Sequence, residues 1–533
     1  MPSNALSRRA ILQRSAVAGG VLSLGPLLGG ATEALAQSTG GPAAAAGKAR
    51  KDVYGRIGVR PLINGRGTYT IISGSLMLPE VREAIDAAAR QYVHLDELAD
   101  AVGKRLAKLT KAEHGLVASG CHAALTHATT ACVAGGNPDL HVRLPDLTGF
   151  RKTEVIIPAH SRNVYENAVS AVGVKVVEVS TPDELKRAIG PRTALIYIMA
   201  GPRVDESELP TDVIASIAGP EGVPVLVDAA AEILTVPNVH LERGADLVAY
   251  SGGKAMRGPQ SAGLLLGRED LVRAAWVSSA PHHGIGRGYK VGKEEAMGML
   301  AAVEMWARRD HEAEYARWES WLKTIARRVS AIGSVKTEVT QPDGLSNRTP
   351  SLAVTWNEER LGVSGRTVVD TLYEAETRIA INTAGGGDDP GRTGVSITPY
   401  MLQPGEENTI ADALVRILTD PPAPPAPPRP PSVDASGEWK LDIQYLAGSS
   451  TAHRLELAQD GATITGTHTG EYVSRRATGS VSGRTVTVRS TLSESSGDAL
   501  DFTFTGTLRG DSMSGELNMG EYLKATWKAE REG

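Results

Sequence analysis

Two residues define the chemistry open to this chain. Asp228 ends the hydrophobic run Val225-Leu-Val-Asp228, and Lys254 closes Asp246-Leu-Val-Ala-Tyr-Ser251-Gly-Gly-Lys254 downstream. A lysine held where buried strands end loses solvation, which favours the neutral amine that imine chemistry needs. A carboxylate at the end of a neighbouring strand can keep a heteroaromatic nitrogen protonated, and a protonated ring accepts the electrons of a carbanion. Pyridoxal 5'-phosphate (PLP) asks a protein for this pair. Alone, a strand-end Asp is commonly a turn residue and a single Lys a surface residue. Together, in this order and within a strand–helix alternation, they point to a Schiff-base lysine and its ring-nitrogen partner. Gly252 and Gly253 are expected to let the backbone approach the cofactor closely. A phosphate needs donors, and Leu116-Val-Ala-Ser119-Gly120-Cys121-His122 runs from a strand into a helix whose first N–H groups are free to bind an anion. Ser119 and Ser251 add hydroxyls. Many α/β folds use such a turn for packing alone.

The elements that must position these residues can be read from periodicity. Short apolar runs at Gly115–Ala118, Glu154–Pro158, Val174–Val179, Ala194–Met199, Pro224–Val227, Leu247–Tyr250 and Ala262–Leu266 predict strands covered on both faces. Helical spacing recurs over Pro79–Tyr92, His94–Leu109, Val291–Arg308 and Arg317–Ile332. These predict a large domain over 48–310 with an N-terminal arm and a smaller α+β domain over 311–418. The proline-rich stretch within 419–433 is an extended spacer. Beyond it, over 434–533, seven short alternating segments with glycine-containing turns predict an antiparallel β barrel or sandwich. Its role is stability or solubility, or else binding of a ligand, glycan or subunit.

Composition excludes several classes. With 56 basic and 61 acidic residues and no block of one sign, neither a nucleic-acid surface nor a polybasic membrane patch is indicated. Ser7-Arg8-Arg9-Ala10-Ile11-Leu12, an apolar stretch and Ala34-Leu35-Ala36 read as a twin-arginine signal peptide over 1–36, cleaved after about Ala36. The alternative is a basic disordered tail. The signal predicts the twin-arginine export machinery as a partner, a periplasmic or secreted location and no stable membrane anchor. The two cysteines, Cys121 and Cys132, are separated on one predicted helix by roughly 16 Å of rise, too far for a disulfide. His282-His283 lacks a third ligand at suitable spacing, and His240 and Glu242 read as loop residues, so no metal is expected.

Five segments then stand in order: Arg60-Pro-Leu-Ile-Asn64-Gly-Arg-Gly67, Val117-Ala-Ser-Gly120, Val227-Asp228-Ala-Ala-Ala, Ser251-Gly-Gly-Lys254-Ala-Met-Arg-Gly-Pro-Gln260 and Gly286-Arg287-Gly-Tyr-Lys290-Val-Gly-Lys293. Together they resemble the selenocysteine-synthase-like group of fold-type I PLP enzymes, which includes L-seryl-tRNA(Sec) selenium transferase and D-glucosaminate-6-phosphate ammonia-lyase. The resemblance spans about Asp52 to Leu418. It implies an α/β fold of the aspartate-aminotransferase type, with a mainly parallel sheet and helices on both faces, and a homodimer or higher homo-oligomer. It makes Lys254 the internal aldimine lysine and Asp228 the pyridine-nitrogen partner. Ser119, Gly120, Cys121 and His122 become the phosphate loop. It sets His160 above the ring, unless that histidine is structural. Arg287 and Lys293 are implied contacts to a substrate anion or a neighbouring subunit's phosphate, although Lys293 also suits the solvated start of a helix. Arg392 is an implied carboxylate binder from the small domain, beside a glycine run at 385–387 that is either a lid or a surface loop.

The reaction expected is α,β-elimination on a small amino acid or amino sugar acid, through an external aldimine and a carbanion. Lys254 takes the α-proton, a β-substituent leaves, and an oxo acid and ammonia result. Selenium transfer, transamination, racemisation and aldol cleavage share the same first steps. A non-catalytic protein that binds through its β domain is the alternative of another class. The absence of an added basic domain, together with the export signal, argues against a tRNA substrate.

Overall fold

Seven short runs of Val, Ile and Leu form one sheet because neither face of it meets water. In the computed structural model these are β1 (His114–Ala118), β2 (Glu154–Pro158), β3 (Lys175–Val179), β4 (Thr193–Met199), β5 (Val225–Asp228), β6 (Leu247–Ser251) and β7 (Gly263–Gly267). The structure describes residues 53–385, 391–423, 427–491 and 501–532. The expected signal peptide and residues 386–387 of the expected lid lie outside them. The sheet order is β1-β7-β6-β5-β4-β2-β3. All neighbours are parallel except around β7, which runs antiparallel to both β6 and β1. The link from β6 to β7 is too short for a crossover helix, so the chain must return antiparallel.

Helices cover both faces. On one side α1 (Pro79–Ala88), α2 (Leu95–Thr110) and α5 (Lys293–Trp306) enclose a core that includes Leu106, Ile196, Val227 and Met299. On the other, α3 (Gly120–Ala134) and α4 (Glu269–Ser278) enclose Leu125, Ile157, Leu195 and Val272. Helix α3 is sunk in the protein along almost its whole length, which explains its run of Ala and Thr in place of an amphipathic stripe. Among the described residues no helix is long and apolar enough to cross a membrane.

Helix α6 (His311–Val329) leads to a second, antiparallel sheet of β8 (Lys336–Thr340), β9 (Ser351–Asn357), β10 (Asn382–Gly385) and β11 (Arg392–Ile397), in the order β10-β11-β9-β8. Helices α7 (Gly365–Glu374) and α8 (Glu406–Thr419) close its core around Trp356 and Leu414. A short early strand, Leu62–Asn64, pairs in parallel with Arg378–Ala380 and joins this layer. Residues Val53–Arg60 carry one 3-10 turn, Gly55–Ile57.

The C-terminal strands are β12 (Gly437–Gln444), β13 (Ser450–Asp460), β14 (Thr463–Thr469), β15 (Ser474–Ser482), β16 (Thr485–Thr491), β17 (Asp501–Arg509), β18 (Ser512–Asn518) and β19 (Lys524–Glu532). They form a closed up-and-down barrel, β12 pairing with β19. The sequence predicts seven of these strands and misses β15. Only Ala477 and Val481 of β15 are buried apolar residues, so it lacks the period-2 signal the others carry. The lumen is filled by Trp439, Leu455, Phe504 and Trp527.

Candidate active site

Strands β5 and β6 end side by side, with Asp228 level with Met199 of β4 and Ala249 of β6. The turn from β1 into α3 opens at the same edge. Ligands of open α/β sheets bind at such carboxyl ends. A cavity of about 640 Å³ lies there, lined by Asp228, Lys254, Ser251, Gly120, Cys121 and His122. Of the expected residues, these are the ones the fold brings together. Ser119 precedes them as the N-cap of α3, and its side chain makes no capping hydrogen bond.

Asp228 is the most buried of the charged groups at this cavity, at 4% exposure. Its Oδ2 accepts from the Tyr197 hydroxyl at 3.0 Å, and its Oδ1 accepts from the Ala230 N–H at 3.0 Å and from the Cys121 thiol at 3.5 Å. Asn163 in turn donates to the Tyr197 hydroxyl at 3.1 Å. Burial pushes the Asp228 carboxyl above its ordinary value, against the pull of the Ala230 N–H, Tyr197, Lys254 and Cys121. Burial, and the nearness of Asp228, push the Tyr197 phenol and Cys121 thiol well up, so both remain neutral donors. A buried carboxylate surrounded by neutral donors lacks a counter-charge in contact with it. A protonated pyridine nitrogen supplies one, and on this ground the residues fit PLP.

The phosphate end also fits. Gly120 starts α3 at φ 85°, a left-handed conformation that disfavours other residues. A Cβ on Gly263 of β7 would come within 2.6 Å of the Cys121 nitrogen, so the start of α3 lies hard against the sheet. The helix N-terminus is thereby fixed at the cavity with its first N–H groups available to an anion. His122 is braced by Asn167, Nε2 to Oδ1 at 2.8 Å.

Four expected residues stand elsewhere. His160 does not line the cavity; its Nδ1 contacts the Ser161 hydroxyl at 2.9 Å and its Nε2 the Leu209 carbonyl at 3.1 Å. These contacts hold the ring in the loop after β2. Arg392 donates to the Thr355 carbonyl and hydroxyl across the β9–β11 pair, away from the cavity. Lys293 pairs with Glu294 at the start of α5, and Arg287 is exposed on its loop. Gly252 and Gly253 are closely packed by the protein itself. A Cβ on Gly252 would meet Met299 Sδ at 2.5 Å, and one on Gly253 would meet Gln260 Cα at 2.6 Å. His240, read as a loop residue, is buried and contacts Glu232, Nε2 to Oε2 at 2.6 Å, and Glu232 lines the cavity. Both cysteines lie on α3 and are free.

Sequence reasoning missed Arg66 as a site residue. Asn64 Oδ1 accepts from the N–H groups of Arg66 and Gly67, both at 3.0 Å, and turns the chain into the cavity. Arg66 Nε donates to Asn382 Oδ1 at 3.0 Å, and its guanidinium lies 4.5 Å from the Tyr69 ring centre. Among the described residues it has no carboxylate partner, and with Lys254 it is a cation of the cavity wall outside any ion pair. The signal was present in the Asn64-Gly-Arg66-Gly67 segment, which carried family resemblance without a role attached.

Comparison with known proteins agrees with this geometry. The profile described as aminotransferase class-V matches residues 159–285. The chain is 29% identical to D-glucosaminate-6-phosphate ammonia lyase of Salmonella typhimurium, over 62% of this chain and 88% of that one. It is 31% identical to 5'-C-glycyluridine monooxygenase-decarboxylase of a Streptomyces species, over 69% and 92%. With L-seryl-tRNA(Sec) selenium transferase of Moorella thermoacetica it shares 30% identity, over 41% of this chain and 51% of that one. A solved structure of D-glucosaminate-6-phosphate ammonia-lyase superposes with a TM-score of 0.62 at 27% identity, covering 69% of this chain and 98% of that one.

Proposed function

The chain belongs to the aminotransferase class-V family of PLP-dependent enzymes, and from that premise we propose that it is an ammonia-lyase-type enzyme that eliminates a β-substituent from a small amino acid or amino sugar acid. The observation that carries this reading is the buried Asp228 carboxylate, held by neutral donors at the cavity that Lys254 lines. Its likeness to an ammonia lyase over 88% of that enzyme supports elimination in particular.

When bound, PLP supplies an aldehyde that captures the substrate's amine and a cationic ring that withdraws electrons from the bond being broken. The rest belongs to this chain. Asp228 holds the proton on the ring nitrogen, and Tyr197, Cys121 and the Ala230 N–H hold Asp228. The first N–H groups of α3 take the phosphate, with Ser119, His122 and Ser251 beside them. Arg66 pairs with the substrate carboxylate and orients Cα toward Lys254. Lys254 Nζ takes the proton from Cα and returns one to the departing β-substituent. The test is to supply amino acids and amino sugar acids to the purified holoenzyme and measure ammonia and 2-oxo acid. Absence of ammonia from every β-substituted substrate, with the cofactor in place, sinks the reading.

A second reading, oxidative decarboxylation, is favoured by the likeness to the monooxygenase-decarboxylase. Oxygen uptake and carbon dioxide release in the same screen separate the two. The twin-arginine segment at Ser7-Arg8-Arg9 supports export of the folded enzyme to the periplasm, tested by fractionating cells that express the chain and its Arg8→Lys, Arg9→Lys variant. We further propose at least a homodimer, tested by light scattering.

A further inference from the structure

A second chamber adjoins the first. It measures about 740 Å³, and Ala231, Asn347 and Tyr400 line both chambers. Its floor is the segment just past the catalytic pair in sequence: Ala231 and Ile233 to Val236 after Asp228, and Ala255 and Arg257 after Lys254. Its opposite wall is where α5 ends and α6 begins. That wall is aromatic. Trp306 is locked by its indole N–H on the Leu234 carbonyl at 2.7 Å. Trp318 meets Tyr400 edge to face with centres 6.2 Å apart, and Tyr315 lies 6.0 Å from Trp318. Tyr400 is fixed in turn by Thr68, whose N–H and hydroxyl reach its oxygen at 3.1 and 2.9 Å. Rigid aromatic faces of this kind suit the flat face of a ring.

The charge in the chamber is uneven. Arg309 is neutralised by Glu314, with contacts at 2.9 and 2.7 Å. Arg257 is not paired in this way. Its Nε donates to the Leu76 carbonyl at 2.9 Å, and among the described residues it forms no ion pair. Its backbone sits at φ 56°, a conformation a non-glycine residue adopts only when its surroundings enforce it. Burial and the neighbouring Arg309 press its guanidinium below its ordinary value, against the smaller pull of Glu314 and Glu80. Glu312 and Glu319 also line the chamber, but among the described residues neither pairs with Arg257, and an arginine held in a strained conformation beside another cation and outside any ion pair is suited to take an anion.

We propose that the second chamber binds the distal arm of an elongated amino-acid substrate, a flat ring resting against the wall that Trp318 and Tyr400 form together and carrying an anionic group to Arg257. The proposal rests on the reading of the first chamber as an amine-capturing PLP site and adds the substrate's far end to it. The chamber is a specificity element: the amino-acid head is read at Lys254 and Arg66, the ring and anion next door.

Four probes separate these contributions: L-serine, O-phospho-L-serine, L-tyrosine and O-phospho-L-tyrosine. Their affinities are read from the change in the holoenzyme's visible cofactor absorbance. The expected order has O-phospho-L-tyrosine tightest, about tenfold or more below L-serine in Kd. Arg257→Asn, chosen because Asn tolerates positive φ, is expected to weaken O-phospho-L-tyrosine about tenfold more than it weakens L-serine. Trp318→Leu is expected to erase the advantage of both ring-bearing probes, with thermal melting reporting that each variant is folded. If L-serine shifts the absorbance but ring and phosphate add no affinity, or their advantage survives both substitutions, the second-chamber proposal is overturned and the first-chamber reading stands. If no probe shifts the absorbance of the loaded enzyme, the first-chamber reading fails and takes this one with it.

Discussion

Two buried polar clusters in this molecule invite comparison. One surrounds Asp228 at the end of β5; the other lies in the barrel, where His468 Nε2 meets His453 Nδ1 at 2.8 Å and His468 Nδ1 meets the Ser490 hydroxyl at 2.7 Å. Both are almost sealed from water, Asp228 at 4% exposure and His468 at 0%. The difference is in how their requirements are met. Both nitrogens of His468 are satisfied by groups of the barrel itself, among packed Phe502 and Phe504 rings. Asp228 accepts three hydrogen bonds and, among the described residues, forms no ion pair, and it lines a cavity. A saturated buried network specifies a fold, whereas one left short by a single charge marks where a ligand completes it.

The comparison breaks most sharply at Lys254. Lys254→Ala is expected to lower ammonia release by at least about 10⁴-fold and to abolish the visible cofactor band, with the barrel's unfolding unchanged. Next is Asp228→Asn, which keeps the shape and removes the charge. A fall in kcat of about 10²–10³-fold is expected, with weaker retention of the cofactor on dialysis. The barrel cluster responds instead to pH. Burial leads, with His453 and Arg475 adding to it, in holding the His468 imidazole down at about 3. The unfolded chain therefore takes up a proton near pH 6.5 that the folded barrel refuses until about pH 3. Stability contributed by this group is present above pH 6.5 and falls as pH drops through that window, by up to about 1.4 kcal/mol per pH unit. Denaturant titrations of the barrel tryptophans at pH 7.5 and 5 check the slope, and His468→Gln should flatten it. The smallest effect is expected at Tyr197→Phe, which removes one of three donors to Asp228. A loss of about 1–1.5 kcal/mol, roughly tenfold in kcat/KM, should appear there with the fold intact. An unchanged rate would show that Asp228 needs no positioning from β4.

Most of the large sheet was legible because each strand is a short apolar run between polar turns, and the expected Glu154–Pro158 coincides with β2. Asp228 and Lys254 were legible for the same reason: each stands where such a run stops. The lost strand, β15, turns Arg475 toward the lumen, where its guanidinium lies 4.6 Å from the Phe502 ring centre, and so hides its inner face behind a charged residue. Arg392 was expected by analogy of position, and one nitrogen of its guanidinium, Nη2, donates to Thr355. Arg66 was illegible as a site residue because its orientation depends on Asn382, a partner 316 positions away. Nothing local to residues 64–67 announces that contact. The aromatic wall of the second chamber, Trp306, Tyr315, Trp318 and Tyr400, is assembled from residues that each read as ordinary helix or loop positions.

That long reach has a consequence in time. The strand Leu62–Asn64 is among the first described elements of the chain, yet its ladder is with Arg378–Ala380, and Gly65 bonds to Ala380 and Thr398. Closing so long a loop is entropically costly and slow, and its ladder cannot begin until the residues it pairs with exist. During synthesis the seven-stranded core can therefore condense, with Asp228 and Lys254 in register, while Arg66 still hangs on an unanchored leader. Arg66 is positioned last, when the two ends of the enzyme's core are tied together. A chain released before that knot is made would have Asp228 and Lys254 in register and Arg66 still unplaced at the cavity wall.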